Sequence, residues 1–331
     1  MTEFRLNRKQ KKKKSTIQKM MRAFFITSIL LIIVSAGAIG YFALKVNNAA
    51  SNSYQELDRN TVSDLRDSEV TLSKDPTSIL LMGVEDYEGG RGRTDALILL
   101  VINPGEEKAA MLSIPRDSKT HIPYINREDK INHAYSYGYE DATVGAVQEM
   151  FDIPIDYFVS TNFDGFEEVI DELGGITVDV PFSFTQTDMD LNKISFEEGE
   201  MTLDGRESLA FVRMRKQDPR GDFGRNERQQ IVIQSIIDKT LSISSINRLD
   251  NLVDVVGDNT KTNIRLREVM SSTGLYKYLT DRSLETLQLE GTDERRNGVY
   301  YFIPSEESLL KTQSKLKTIL ELEPSTEETS D

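Results

Sequence analysis

The alternation of apolar and polar positions divides this chain into an N-terminal apolar span, a polar stretch and a long α/β-like region. Residues 23–44, "AFFITSILLIIVSAGAIGYFAL", carry no charge and are mostly apolar. At about 1.5 Å of rise per residue, a helix of that length crosses a hydrocarbon layer of roughly 30 Å. We therefore expect a retained transmembrane helix there. The small residues Ser35, Ala36, Gly37 and Ala38 also suit a signal-peptide cleavage site. Signal-peptide apolar regions usually run about 7–15 residues, whereas this one continues through Tyr41, Phe42 and Leu44. Residues 45–75 are polar and lack an apolar pattern, which predicts a juxtamembrane stalk.

From Pro76 the texture changes. "SILLMGV", "DALILLVIN" and "KAAMLSIP" are near-continuous apolar runs, the second closed by the turn signal Asn103-Pro104-Gly105. Such runs suit strands covered on both faces. Helical spacing follows over 141–150 and 164–173, the latter stopped by Gly174-Gly175. "ITVDV" predicts a strand, and 227–242 a long amphipathic helix with Ile231, Ile233, Ile236, Ile237 and Leu241 as its buried side. Further helices are expected at 264–279 and 305–321, with strands near 284–290 and 299–303. The economical reading is one extracytoplasmic α/β domain over 76–322, followed by an acidic, disordered tail at 323–331.

Charge fixes the orientation of this plan. Residues 1–22 hold nine Lys or Arg against Glu3 alone, a balance of +8. Basic flanks stay in the cytoplasm, so the expected topology is single-pass type II, with a basic cytoplasmic tail and the domain outside the cell membrane. The formal net charge of the chain is −14, which leaves −14 − 8 = −22 beyond the tail. A domain that acidic is no general polyanion binder, and we expect no nucleic-acid partner. There is no cysteine, which excludes disulfides and thiolate chemistry. The two histidines, His121 and His133, lack zinc-ligand spacing, and neither a P-loop nor a G-x-S-x-G elbow is present.

Against that acidic background, "FVRMRKQDPRGDFGRNERQQ" gathers Arg213, Arg215, Lys216, Arg220, Arg225 and Arg228 between positions 213 and 228. Read as a strand, "SLAFVRMR" puts Arg213 and Arg215 on one face, spaced for a diphosphate. A turn then leads into a helix whose start can add Arg225 and Gln229. Lys216, Arg220 and Arg228 read as surface charges. Two further clusters sit at predicted strand ends. "GVEDYEGGRGRTD" offers Glu85 and Asp86 after one strand and Arg93 and Asp95 before the next, a carboxylate set suited to Mg²⁺ completed by substrate phosphates. Ordinary turn acids explain the same spacing equally well. "SIPRD" places Arg116 just past a strand, where a local ion pair is the simpler reading. Arginine-bound pyrophosphate, one Mg²⁺ and no evident covalent nucleophile amount to a phosphoryl-transfer site.

In this order, "GRTD", "SIPRD", "DKINHAY", "IPIDYFVSTNFDGF", "LGGITVDV" and "FVRMRKQDPRGDFGRNERQ" resemble the signature blocks of the LytR-CpsA-Psr family. The resemblance covers roughly residues 76–322. It implies a membrane-anchored transferase with a central mixed β-sheet, flanking helices and a hydrophobic pocket for lipid. Such enzymes move wall teichoic acid or capsular polysaccharide from a polyprenyl pyrophosphate carrier to the C6 hydroxyl of N-acetylmuramic acid in peptidoglycan. By position it assigns Arg93, Arg116, Arg213, Arg215, Arg225 and Gln229 to the pyrophosphate, and Asp95 to Mg²⁺, with Mn²⁺ as the alternative ion. It leaves the first metal ligand between Glu85 and Asp86, and gives Lys130, Asn132 and His133 a supporting role. A polyprenyl pyrophosphate phosphatase would use the same cradle with water as acceptor; a non-catalytic membrane-anchored envelope regulator, acting through the basic tail, and a lipid- or glycopolymer-binding scaffold are the other readings.

Overall fold

The computed structural model describes residues 40–58, 63–85, 92–241, 246–272, 274, 278 and 284–322. The chain divides into residues 1–46 and 47–331. In the first unit the described part, from Gly40 onward, is helical, and this helix (α1) continues to residue 53. Most of the expected membrane span (23–39), the basic tail and the C-terminal tail at 323–331 lie outside the described residues. Among the described residues no helix is long and apolar enough to cross a membrane.

The second unit is built on a six-stranded mixed sheet. β1 (Thr77–Glu85), β2 (Arg93–Asn103) and β3 (Lys108–Ser113) form its antiparallel centre. A hairpin of β4 (Lys119–Ile122) and β5 (Arg127–Lys130) leads to α2 (Ala134–Phe151). β6 (Tyr157–Asn162) then returns parallel to β1. After α3 (Phe163–Leu173), β7 (Ile176–Val180) pairs with β10 (Gly199–Leu203), around the hairpin β8 (Phe184–Thr187)–β9 (Lys193–Phe196). Helices α4 (Gly205–Arg213), α5 (Asp222–Leu241) and α6 (Ile246–Asn259) follow. β11 (Thr260–Thr262) extends the sheet beyond β6; after α7 (Leu266–Ser271), β12 (Leu284–Gln288) joins β3 in parallel. The hairpin β13 (Gly291–Arg296)–β14 (Val299–Pro304) and α8 (Glu306–Ile319) complete the chain. The central strand order is β11-β6-β1-β2-β3-β12.

The unbroken apolar runs have their predicted cause, because both faces of the sheet are covered. Leu80, Leu97, Leu99 and Leu112 pack in one core with Val144, Val147 and Phe151 of α2 and Leu316 and Ile319 of α8. Ile79, Ile98, Leu100 and Met111 belong to a core on the other side. A third core joins α3, α4 and α5 through Ile170, Phe211 and Val232 to the small strands, with Phe184 stacked on Phe196 at 4.6 Å.

Three expectations change. The segment 208–215 is no strand: α4 runs to Arg213, and only from Met214 is the backbone extended. Its helix is set by the capping box of Asp204 and Glu207, which satisfies two free N–H groups at the first turn and outweighs the short apolar alternation. The expected stalk is, from Asn47 on, part of the main unit: Leu57 and Leu72 are buried in its cores, and Arg66 pairs with Asp156 at 2.8 Å.

Arg228 is the third. It is no surface charge but, among the described residues, the largest fully buried side chain. Its guanidinium donates to the Phe211 carbonyl at 3.1 Å and to the Met214 carbonyl, and forms an ion pair with Asp218, whose side chain is 0% exposed. One cation on α5 therefore satisfies the free carbonyl end of α4 and fixes the connection that follows. Gly224 permits this, since a Cβ there would collide with the Asp218 carboxylate. Removing one partner of a buried ion pair typically costs about 3–5 kcal/mol. Arg228→Ala should therefore lower the thermal midpoint by many degrees, while Arg220→Ala, half exposed on the same loop, should change stability by no more than about 0.5 kcal/mol. Equal midpoints for the two variants would contradict this account.

Candidate active site

The sheet's centre aims one carboxylate out of register. Gly83 pairs with Ala96 and Val84 with Thr94, so Asp95 is the extra residue of a β-bulge, a device that re-aims a side chain. Its Oδ1 accepts from Arg116 Nη1 at 2.5 Å. Arg116 follows β3, and its backbone carbonyl accepts from the Asn132 N–H at 3.1 Å, which ties the "SIPRD" turn to the "DKINHAY" segment. Burial lowers the Arg116 pKa, but Asp95, with Asp117 and Asp222, outweighs it and leaves the guanidinium above its ordinary value.

The loop after α4 supplies the opposite wall. Arg215 pairs with Asp222 at 3.0 Å and lies over the Tyr300 ring at 5.8 Å. Arg225, buried in the first turns of α5, reaches the same Asp222 at 3.1 Å. Burial depresses the Arg225 pKa, and Arg116 and Arg215 push it the same way against Asp222 and Asp95. Lys130 pairs with Asp117 at 2.7 Å and stands over Tyr300 and Tyr301 at 5.8 and 5.7 Å. A cavity of about 290 Å³ lies among Arg116, Asp117, Arg215, Asp222, Arg225 and Tyr300. Among the described residues, the buried Nε groups of Arg116 and Arg225 have no hydrogen-bond partner. Buried donors without partners are rare in folded proteins, and here an anion is the complementary group.

A second cavity, about 160 Å³ and apolar, lies between the sheet and the helices α3, α4 and α5. Leu81, Gly83, Ala96, Ile98 and Val159 contribute from the strands, and Phe163, Phe166, Leu209, Val212, Val232 and Ile233 from the helical side. The two cavities share elements. On β2, Asp95 holds Arg116, which lines the cationic one, while Ala96 lines the apolar one; on α5, Arg225 lines the first and Gln229, one turn on, the second.

The expected site residues therefore separate. Asp95, Arg116, Arg215 and Arg225 converge. Gln229 lines the apolar cavity rather than the cationic one. Arg213, at the end of α4, contacts Met189 and lies over the Phe163 ring at 5.0 Å, beside the apolar cavity and not paired with Arg215 across a strand face. Arg93 stands opposite Glu85 where β1 ends and β2 begins, and its charge bears on His133, whose Nδ1 lies 3.1 Å from Asp129. Asp86 lies outside the described residues. Among the described residues no three His, Asp or Glu side chains form a cation site. Asp95 and Glu85 are two carboxylates at most, so they would hold Mg²⁺ only with phosphate oxygens and water completing its shell. Sequence reasoning missed Asp222, the carboxylate between two arginines, and Tyr300. An acid in the first turn of a helix was the available signal for Asp222; Tyr300 had none.

The sequence profile of the LytR_cpsA_psr family matches residues 40–318. This chain belongs to the LytR-CpsA-Psr family. It is 43% identical over 303 residues (89% of this chain, 78% of the relative) to the polyisoprenyl-teichoic acid–peptidoglycan teichoic acid transferase TagV of Bacillus subtilis (strain 168). The crystal structure of B. subtilis TagV superposes with a TM-score of 0.67 at 41% identity, covering 76% of this chain and 99% of that one. The LytR-CPS2A-psr family protein YwtF (TagT), solved with bound octaprenyl pyrophosphate lipid, matches at 35% identity and a TM-score of 0.64, over 81% and 99% of the two chains. The α/β fold with its central mixed sheet is thus the fold of this family, and the resemblance in the signature blocks reflects membership.

The cationic cavity yields a test that needs no lipid. Inorganic pyrophosphate should raise the thermal midpoint of the wild type, by the equivalent of about 2.7 kcal/mol at a hundredfold excess over its Kd. Arg225→Met should abolish that rise without lowering the midpoint in the absence of anion, because it removes a desolvated cation crowded by two others. A variant that keeps the wild-type response would show that Arg225 does not meet the anion.

Proposed function

We propose that this chain is a transferase that moves a glycopolymer from a polyprenyl pyrophosphate carrier to the C6 hydroxyl of N-acetylmuramic acid in peptidoglycan. The names of its family relatives favour teichoic acid as that polymer. The observation that carries the reading is the pair of cavities bordered by successive turns of α5: a cationic one with two guanidinium Nε donors lacking hydrogen-bond partners among the described residues, and an apolar one lined by Gln229, Val232 and Ile233. That combination suits an amphiphile with a charged head and a hydrocarbon chain. The family's solved lipid complex supports this choice.

In this reading Arg116, Arg215 and Arg225 bind the pyrophosphate and neutralise the charge that builds on the departing polyprenyl phosphate. Asp95 holds Arg116 in place and, with Glu85 or Asp86, supplies the carboxylates for Mg²⁺ or Mn²⁺. The ion would add Lewis-acid charge stabilisation at the phosphate oxygens. Lys130 fixes Asp117 at the rim of the cavity. The acceptor hydroxyl attacks the phosphorus joined to the glycan, the bond to the polyprenyl phosphate breaks, and a phosphodiester to peptidoglycan results. The basic tail and the apolar span 23–44 are proposed to anchor the protein as a single-pass type II membrane protein, with the domain on the outer side.

The test is direct. Full-length protein in detergent, given lipid-linked teichoic acid, peptidoglycan oligomers and Mg²⁺, should form a covalent glycan–peptidoglycan product. EDTA should abolish it and Mg²⁺ restore it. Arg116→Ala should lower kcat/KM by roughly 10²–10³-fold, as expected when a donor to developing charge is lost. Release of monophosphates with no covalent product would overturn the transferase reading in favour of a phosphatase.

A further inference from the structure

The transfer leaves one proton unaccounted for, that of the acceptor hydroxyl, and the segment beside the site holds an unused device. β5 ends in Asp129-Lys130, and a short 3₁₀ turn at Ile131–His133 leads into α2. This turn is pinned to the site by the Asn132 N–H, which donates to the Arg116 carbonyl at 3.1 Å. Behind it, Ser136 Oγ donates to the Gly92 carbonyl at 2.8 Å, so the start of α2 is fixed against the start of β2, where Arg93 stands.

Within that frame Asp129 is unusually well supplied. Its Oδ1 accepts from the Lys130 N–H at 2.8 Å and meets His133 Nδ1 at 3.1 Å, while Oδ2 accepts from the Tyr137 hydroxyl at 2.7 Å. Tyr137 in turn accepts from Arg127 at 2.9 Å. A carboxylate held by three donors is kept ionised and below its usual pKa, although burial acts against it. An ionised carboxylate on Nδ1 fixes the imidazole tautomer with the proton on that nitrogen, which leaves Nε2 as a base. Among the described residues none hydrogen-bonds to Nε2.

Resting on the transferase reading above, we propose that His133, oriented by Asp129 and Tyr137, is the general base that accepts the proton of the sugar hydroxyl. The hydroxyl proton passes to Nε2 as its oxygen forms the new bond to phosphorus. The bond from phosphorus to the polyprenyl phosphate breaks, its electrons leave with that phosphate, and the imidazolium returns the proton to the leaving group or to water. No oxidant or further co-reactant is needed.

The electrostatics agree with the geometry. Burial pushes the His133 pKa below the ordinary histidine value, Arg93 on β2 and Lys130 on β5 add to the effect, and Asp129 opposes it. The ring is thus neutral at pH 7, as a base must be. The rate is expected to be full above the ordinary histidine range and to fall only as the pH drops through this depressed pKa.

The experiment uses the full-length enzyme in the transfer assay, together with an independent measurement of octaprenyl pyrophosphate binding. In the wild type, kcat/KM should show an acid limb below about pH 6.5. His133→Ala should lower kcat by roughly 10²–10⁴-fold and lose that limb, with lipid affinity unchanged. Imidazole added to the buffer should restore part of the rate. Asp129→Asn, the second variant, should retain a limb shifted to lower pH. Wild-type kcat and an intact acid limb in His133→Ala would overturn the proposal, as would a loss of lipid binding that fully accounts for the loss of rate. A wild type that never transfers to the acceptor would overturn instead the transferase reading on which the proposal rests.

Discussion

The buried pair of Arg228 and Asp218 is the constraint on which the functional surface depends. Arg228 holds two carbonyls at the end of α4 and, through Asp218, the loop that leads into α5. That loop carries Arg215, and the helix it opens carries Asp222 and Arg225. A buried pair is rarely a bargain in stability, since desolvation offsets much of the attraction. Its value here is geometric. Without it the α4–α5 connection would have many conformations, and Arg215 and Arg225 would have to be ordered at the moment of binding, at a conformational cost that preorganisation removes.

The cluster that Arg228 helps to place is, in isolation, an unfavourable arrangement. Arg116, Arg215 and Arg225 repel one another, and Arg225 also loses its solvation. Asp222 and Asp95 compensate in part, each bridging to the arginines rather than to solvent. The residual cationic character, with two guanidinium Nε groups lacking hydrogen-bond partners among the described residues, is the kind of deficit that a fold tolerates at a site for an anion. The same logic explains how so acidic a chain concentrates positive charge in one place.

The parts of this fold that could be read in the sequence were those in which one physical signal dominated. The apolar runs at β1, β2 and β3 are long and uninterrupted because both faces are covered. The helix α3 has a clean apolar face and a glycine stop, with Gly174 at φ +77°. Where two signals competed, the reading failed. Around Arg213 a short alternation suggested a strand, while the capping box at Asp204 and Glu207 decided for a helix. The small hairpins β4–β5 and β8–β9 went unread, because strands of four residues hold too little pattern. Arg228 was misread for a different reason: nothing in its own neighbourhood shows that Asp218 and two carbonyls, 10 to 17 positions away, will surround it. The cluster of Asp95, Arg116, Arg215 and Arg225 was legible by composition. Its division from Arg213 and Gln229 was not, because that depends on which cavity each element borders.

The shared helix has a consequence for what this protein can accept. Arg225 and Gln229 sit four residues apart on α5, a separation of about 6 Å along one rigid rod. The step from charge to hydrocarbon is therefore a fixed interval, as on a ruler. Under the proposed function, a carrier whose phosphates and first isoprenoid carbons match that interval would meet both chambers, whereas one with an added polar spacer would forfeit contact at one end or the other. The tail beyond the chamber has no such mark to meet. Selection on this surface thus acts on the joint between head and chain, and only weakly on the chain's total length.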